Sequence, residues 1–195
     1  LDVFLEDCLF QPLQMIDTSF HLASKKRERL ADCFFFESMT PNFRPLENLY
    51  KNFSFNREEV TNFSGGSGLL STANDYLKFA DLLINDGKLR GRKFLPESVV
   101  KKIKTNSLAK DIASIGVKSF AQMSTKGMGH SLAGSVIINP NIEFPSNIND
   151  FGWGGMGSNY FWIDFTRQLC AIFMTQLIPS SAYPNRKELK ALLSC

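Results

Sequence analysis

Hydrophobic spacing divides the chain into stretches of different period. From Leu1 to Phe10 apolar and acidic residues alternate as in an amphipathic helix, and Pro12 predicts its end near Gln11, because proline disfavours helical geometry in the residue before it. From there to about Phe63 no period is sustained. Phe34, Phe35, Phe36, Phe43, Phe53 and Phe55, set among Asn and Pro, predict irregular loops with short strands pinned by aromatic anchors. The period then becomes helical: Tyr76, Leu77, Phe79, Ala80, Leu83 and Ile84 form an apolar stripe. Thr72 and Asp75 resemble a capping box and Gly87 supplies a left-handed stop, so the spacing predicts a helix from about Ala73 to Asp86. Pro96 suits the first turn of a second helix carrying Val99, Val100 and Ile103, with Lys101, Lys102 and Lys104 toward its C-terminal end.

Beyond a Ser/Lys/Gly-rich stretch the period changes again. Ser131 to Pro140, Ser158 to Asp164 and Gln168 to Gln176 are β-branched and aromatic runs bounded by turn residues, and they predict consecutive strands of an antiparallel sheet. Phe165 to Gln168 is short enough for the hairpin loop between the last two. A final helix is expected from about Asn185 to Ser194, with Leu189, Leu192 and Leu193 available for one face. The order is an α+β pattern: a mainly helical and loop region over 1–126, then strands and a helix over 127–195, within one domain.

Composition narrows the function classes. With 44% hydrophobic and 21% charged residues the chain reads as an ordinary globular domain, and no apolar run is long enough to span a bilayer. The net charge of +3 is spread along the chain, and the densest basic cluster, Lys25 to Arg29, already contains Glu28; this reads as a solvated loop or helix start rather than a nucleic-acid face. Cys8, Cys33, Cys170 and Cys195 lie far apart, and His21 and His130 have no ligand-spaced partner, so no metal or cofactor is expected and the first three cysteines read as buried thiols. Asn52-Phe53-Ser54 and Asn62-Phe63-Ser64 are glycosylation acceptors only in a secreted protein.

Candidate chemistry is sparse. Gly65 to Gly68 precedes a helix but fits neither phosphate-binding template, and reads as a tight turn with close backbone approach. A Ser-x-x-Lys spacing, which sets a lysine one helical turn from a serine it can deprotonate, occurs at Ser98/Lys101 and Ser107/Lys110. Both read as chance pairs, the first on a surface helix turn and the second in a polar linker. Gly-x-Ser-x-Gly is absent. The run Phe151 to Asp164 carries four glycines and two tryptophans. Glycines beside a strand mark a bulge or a close approach of backbone to a ligand; exposed N–H groups there would bind an oxyanion, with an indole as pocket wall. A glycine-rich hairpin with Phe161 and Trp162 in the core is the competing reading. For Trp162, inside the strand, the core is preferred.

Several stretches, in order and spacing, resemble one family. They are Leu9 to Phe20, Gly65 to Leu89, Phe94 to Val99, Gly127 to Gly134 and Phe151 to Asp164, and together they resemble the C-terminal half of serine hydrolases with the class C β-lactamase or penicillin-binding-protein fold, especially the family VIII carboxylesterases. In that family a serine and a lysine of a Ser-x-x-Lys helix start, with a tyrosine of a Tyr-x-Asn loop, make and break an acyl-enzyme. A third motif, Lys-Thr-Gly in lactamases and Trp-Gly-Gly-like in esterases, edges the pocket. The resemblance places Trp153, Gly154 and Gly155 at that motif, with Trp153 and Gly154 as substrate-binding positions, and Gly155 and the backbone N–H of Met156 at the oxyanion hole. It favours an ester or amide substrate of small size, esters over lactams, because Trp153 and Gly154 stand where polar anchors for a lactam carboxylate would be.

The family's Ser-x-x-Lys and Tyr-x-Asn motifs precede the segment matching Pro12 to Phe20, which only eleven residues precede here. Nucleophile, base and tyrosine are therefore expected outside this chain. An open sheet edge is expected too, covered by an N-terminal half or by self-association. The alternative is a non-catalytic truncated pseudoenzyme or binding module that keeps the Trp153 pocket.

Overall fold

The N-terminal segment stays helical past Pro12. The computed structural model describes residues 1–37, 42–46, 60–140 and 145–193. In it α1 (Asp2–Leu5) continues through a π-helical stretch (Glu6–Phe10) into α2 (Gln11–Leu13). The wider turn explains why the expected stop at Gln11 is overrun: in α register the Pro12 ring meets the carbonyl four residues back, and the longer repeat opens that contact. Gln14, at φ 58°, ends the segment, and Met15 N–H donates to Phe10 O at 2.8 Å. Phe10, Leu13 and Met15 pack with Leu82.

The helix α3 (Ala73–Ile84) forms as its stripe dictates. Thr72 Oγ1 accepts from Asp75 N–H at 3.3 Å, which satisfies one of the helix's free donors. At its end Asp86 N–H donates to Leu83 O and Gly87 N–H to Leu82 O, with Asp86 at φ 50° and Gly87 at φ 82°. The left-handed stop thus begins one residue before Gly87. In α4 (Glu97–Ile103) Pro96 is the N-cap rather than a first-turn residue, and Val100 is the buried position.

Five antiparallel strands form the main sheet: β7 (Met128–His130), β8 (Ser135–Ile137), β9 (Phe151–Gly154), β10 (Tyr160–Asp164) and β11 (Leu169–Phe173), in the order β11-β10-β9-β8-β7. The three expected runs contain β8, β10 and β11. The first of them is shorter than its run, because Leu132 to Gly134 form a bend tied by Ser131 Oγ. Register sets the two faces: Trp153 opposes Phe161, Gly152 opposes Trp162 and Gly154 opposes Tyr160. Tyr160 and Trp162 pack with Met123, Met128, Ile137 and Ala171 on one face. Phe161 and Ile163 pack with Val136, Phe151 and the α3 residues Ala80 and Leu83 on the other. β10 is buried on both faces, whereas the edge strand β11 is mostly half-buried.

A smaller sheet joins distant segments. β1 (Phe34–Glu37) pairs antiparallel with β2 (Asn42–Pro45) and parallel with β12 (Leu177–Ile178). The hairpins β3 (Lys88–Leu89)/β4 (Arg92–Lys93) and β5 (Ser119–Phe120)/β6 (Met123–Ser124) complete the strands among the described residues. The basic cluster is a 3-10 turn (Ser24–Arg29) in which Lys26 and Arg29 pair with Asp17 at 2.9 and 2.8 Å. Those two cations pull the Asp17 carboxyl well below the usual range. Cys33 is buried, while Cys8 is exposed, against expectation, on the outer side of the π-helical stretch. Asn52, Phe53, Phe55, Ser194 and Cys195 lie outside the described residues.

The last helix, α5 (Asn185–Leu193), presents an unexpected face. Leu189 packs on the sheet, but Leu192 is 73% exposed and Leu193 39%, and the fully buried side chains are Arg186 and Lys190, one turn apart. Charge is tolerated there because each cation meets oxygen: Lys190 Nζ lies 2.8 Å from Asp150 Oδ2 and 5.2 Å from the Trp162 ring centroid, and Arg186 reaches backbone carbonyls.

Gly152 is fixed by its register. A Cβ there would lie 2.5 Å from Phe161 O and 3.2 Å from Trp162 Cα, on backbone that cannot swing away. Gly152→Ala is therefore expected to destabilise the fold by about 1–3 kcal/mol, read as a lower midpoint in urea unfolding.

Candidate active site

The end of β9 and the turn that follows carry the candidate residues. Trp153 shares a sheet face with Phe161; α3 packs against Phe161, yet Trp153 remains 42% exposed. Its indole stacks on Phe120 (centroids 6.0 Å apart, 21° between planes) and takes the His130 ring edge-on at 5.0 Å. His130 Nδ1 lies 2.5 Å from Ser131 O, a partner that holds the imidazole against the indole. The result is an aromatic wall open on one side.

The turn from Gly155 to Asn159 is tied down on both flanks. Gly155 N–H donates to Asn159 O at 3.0 Å, and Gly155 O accepts from Arg186 Nη2 at 2.7 Å. Gly157 O accepts from Leu177 N–H (3.0 Å) and Thr175 Oγ1 (2.8 Å), and Ser158 Oγ donates to Leu177 O at 2.7 Å. Both backbone groups of Gly155, expected at the oxyanion hole, are used inside the turn. Met156 N–H has no acceptor among the described residues, and its side chain is 65% exposed. Of the two positions, Met156 alone presents a free donor.

Gly154, expected as a substrate-binding position, also makes room for a side chain. A Cβ there would lie 2.6 Å from both Cζ and Nη1 of Arg186, so the bare backbone is what admits the guanidinium beneath β9. Arg186 lies between the rings of Phe120 and Tyr160, 5.8 and 5.5 Å from their centroids, and is 2% exposed. Burial pushes the Tyr160 phenol up, which keeps it neutral, and pulls the Arg186 guanidinium down from its usual value. Beneath them, burial pushes Asp150 up and Lys190 down, each toward its neutral form, while their mutual attraction opposes both shifts.

Other sequence candidates fall elsewhere. Ser98 and Lys101 are both exposed on α4, and Ser107 and Lys110 are exposed in the segment after it, with no hydrogen bond between serine and lysine in either pair. Ser107 comes nearer the aromatic wall, since its N–H donates to His130 O at 2.8 Å. Gly65 and Gly66 approach no other backbone: a Cβ at Gly65 would meet nothing within 4 Å, so the expected close approach is replaced by an open bend. Among the described residues no three His, Cys, Asp or Glu side chains gather as a metal site. Phe120 and Arg186 escaped the sequence reading, which weighed His130 as a metal ligand and not as part of an aromatic wall. For Arg186 a signal existed, its spacing of four from Lys190 on a helix with few apolar residues.

Comparison with known proteins bears on the family and the fold. The beta-lactamase family model matches residues 1–193. Two curated proteins of Mycobacterium tuberculosis, MT1414 and Rv1367c, are each 24% identical over 185 residues, covering 90% of this chain and 43% of their own length. Among solved structures, EstCE1, described as a hydrolase with promiscuous acyltransferase activity, superposes with a TM-score of 0.79 at 15% identity, over 100% of this chain and 50% of its own. Simvastatin synthase (LovD) from Aspergillus terreus gives 0.74 at 20% identity, over 96% and 47%. A penicillin-binding protein homologue from Caulobacter crescentus gives 0.63 at 14%, over 100% and 52%. The chain spans about half the length of the relatives it matches, and at these identities the structural likeness speaks for the fold alone. On the family match and the shared fold, the chain belongs to the beta-lactamase family.

Proposed function

We propose that this chain supplies the pocket wall and one oxyanion donor of a serine hydrolase that cleaves small esters through an acyl-enzyme. The observation that carries the reading is the free Met156 N–H three residues beyond the exposed indole of Trp153, at the end of a strand whose sequence resembles the family's third motif. A backbone donor so placed stabilises charge as it develops on a carbonyl oxygen, while an apolar wall orients the acyl or alcohol part. The hydrolase and acyltransferase named among the structural relatives support the reaction class. Trp153 and Gly154 offer no charged anchor on the open side, which suits an uncharged ester better than an anionic lactam or peptide. The reading assigns nucleophile and base to neither Ser-x-x-Lys pair, because both are exposed and unengaged among the described residues.

The test is turnover of a chromogenic short-chain ester by the native protein as encoded. Ser98→Ala and Ser107→Ala are expected to leave kcat/KM within about twofold, whereas Trp153→Ala is expected to raise KM about tenfold with kcat little changed, the mark of lost uniform binding. Loss of turnover in either serine variant would overturn the placement of the nucleophile. A second reading, a binding module without catalysis, draws on the same exposed serine–lysine pairs. It is distinguished by saturable ester binding without turnover.

A further inference from the structure

Arg186 is a buried cation without a carboxylate. It is 2% exposed, its Nε and Nη1 have no partner among the described residues, and its hydrogen bonds run from Nη2 to Gly155 O (2.7 Å) and Asn159 O (3.1 Å). A guanidinium desolvated with most of its donors unused costs stability, so packing alone is a poor reason for it. Those two carbonyls flank the turn on which Met156 sits.

The chemistry follows from one peptide group. Gly155 C=O and Met156 N–H belong to the same peptide bond, which is planar, and in a trans peptide its oxygen and hydrogen point in opposite directions. A donor that fixes the oxygen toward the interior therefore fixes the hydrogen away from it. A charged donor on that oxygen also polarises the amide and strengthens its N–H as a donor. We infer that Arg186 is the positioning residue for the Met156 N–H: from beneath the sheet it sets the plane of the Gly155–Met156 peptide and sharpens the donor on its far side. Gly154 is the opening that lets it reach there, and Phe120, which stacks on both Trp153 and the guanidinium side of the turn, links the same strut to the substrate wall. The importance of this for catalysis rests on the hydrolase reading above; the setting of the peptide plane does not.

Two measurements separate these. Amide hydrogen exchange followed by NMR reads the turn directly: in Arg186→Gln the Gly155 N–H, bonded to Asn159 O, is expected to exchange at least about tenfold faster while the β10 amides keep their protection. Gly154→Ala keeps the arginine but displaces its head group, and is expected to give the same local loss; it serves if Arg186→Gln fails to fold. In the native protein as encoded, ester kinetics are expected to show kcat about tenfold lower with KM within about twofold, and Arg186→Lys is expected to recover part of the loss, since it keeps the charge but not the fork. Unchanged Gly155 exchange in folded Arg186→Gln and Gly154→Ala would overturn the positioning role, as would a released turn with kcat unchanged. If the native protein turns over no ester, the hydrolase reading fails, and the exchange measurement alone decides whether Arg186 holds this turn.

Discussion

Lys190→Met is expected to lower stability by about 3–5 kcal/mol at neutral pH, the cost of leaving a buried charge without its partner. Methionine retains the length of the side chain and its packing over Trp162, so the loss isolates the ammonium. What remains is Asp150, 3% exposed, with Oδ1 already unpartnered and only the Asn147 N–H on Oδ2. Burial already pushes the Asp150 carboxyl up, and removal of Lys190 takes away the main opposing influence. The sign of the pH dependence follows. A carboxyl raised in the folded state contributes stability below its unfolded value, near 4, and loses it as pH rises through the folded value. The variant should therefore be most stable in mild acid and weaken toward neutrality more steeply than the parent. Adding Asp150→Asn should recover much of the loss at neutral pH and flatten the profile. Thermal melts between pH 4 and 8 measure this; a neutral-pH melting temperature within about 2 °C of the parent would contradict it.

The parts of the fold that were legible in the sequence are those whose signals are local. In α3 the cap at Thr72, the stripe from Tyr76 to Ile84 and the stop at Asp86 and Gly87 lie within one short segment and agree with one another. β10 and β11 were legible because both are runs of aromatic and branched residues separated by a four-residue turn. β9 was not readable as a strand, because two of its four residues are glycines with no side chain to show a period. The parallel pairing of β1 with β12 joins opposite ends of the chain, and no local pattern encodes it. The inward face of α5 was misread for a different reason: hydrophobic periodicity assumes that charge points outward, and Arg186 and Lys190 point inward to oxygens that only the folded sheet brings there. The candidate site divides similarly. Trp153 and Met156 came from a motif resemblance, whereas Arg186 and the engaged state of Gly155 emerged only from three-dimensional contacts.

The oxyanion role proposed for Met156 is open to a substitution that removes a backbone hydrogen and little else. Proline carries no N–H, and Met156 is not among the residues at positive φ, so the fixed proline φ lies on the right side of the map. Gly155 before it has no Cβ to clash with the ring. Because the methionine side chain is 65% exposed, its own contribution is subtracted by Met156→Ala. The decisive comparison is kcat for ester hydrolysis by Met156→Pro against Met156→Ala in the native protein, with folding checked by thermal melting. Loss of one oxyanion donor is expected to lower kcat about a hundred- to a thousand-fold, or roughly 2.7–4 kcal/mol, with KM little changed and Met156→Ala near the parent. A folded Met156→Pro protein with kcat within about threefold of Met156→Ala would contradict the assignment of this turn to the oxyanion hole.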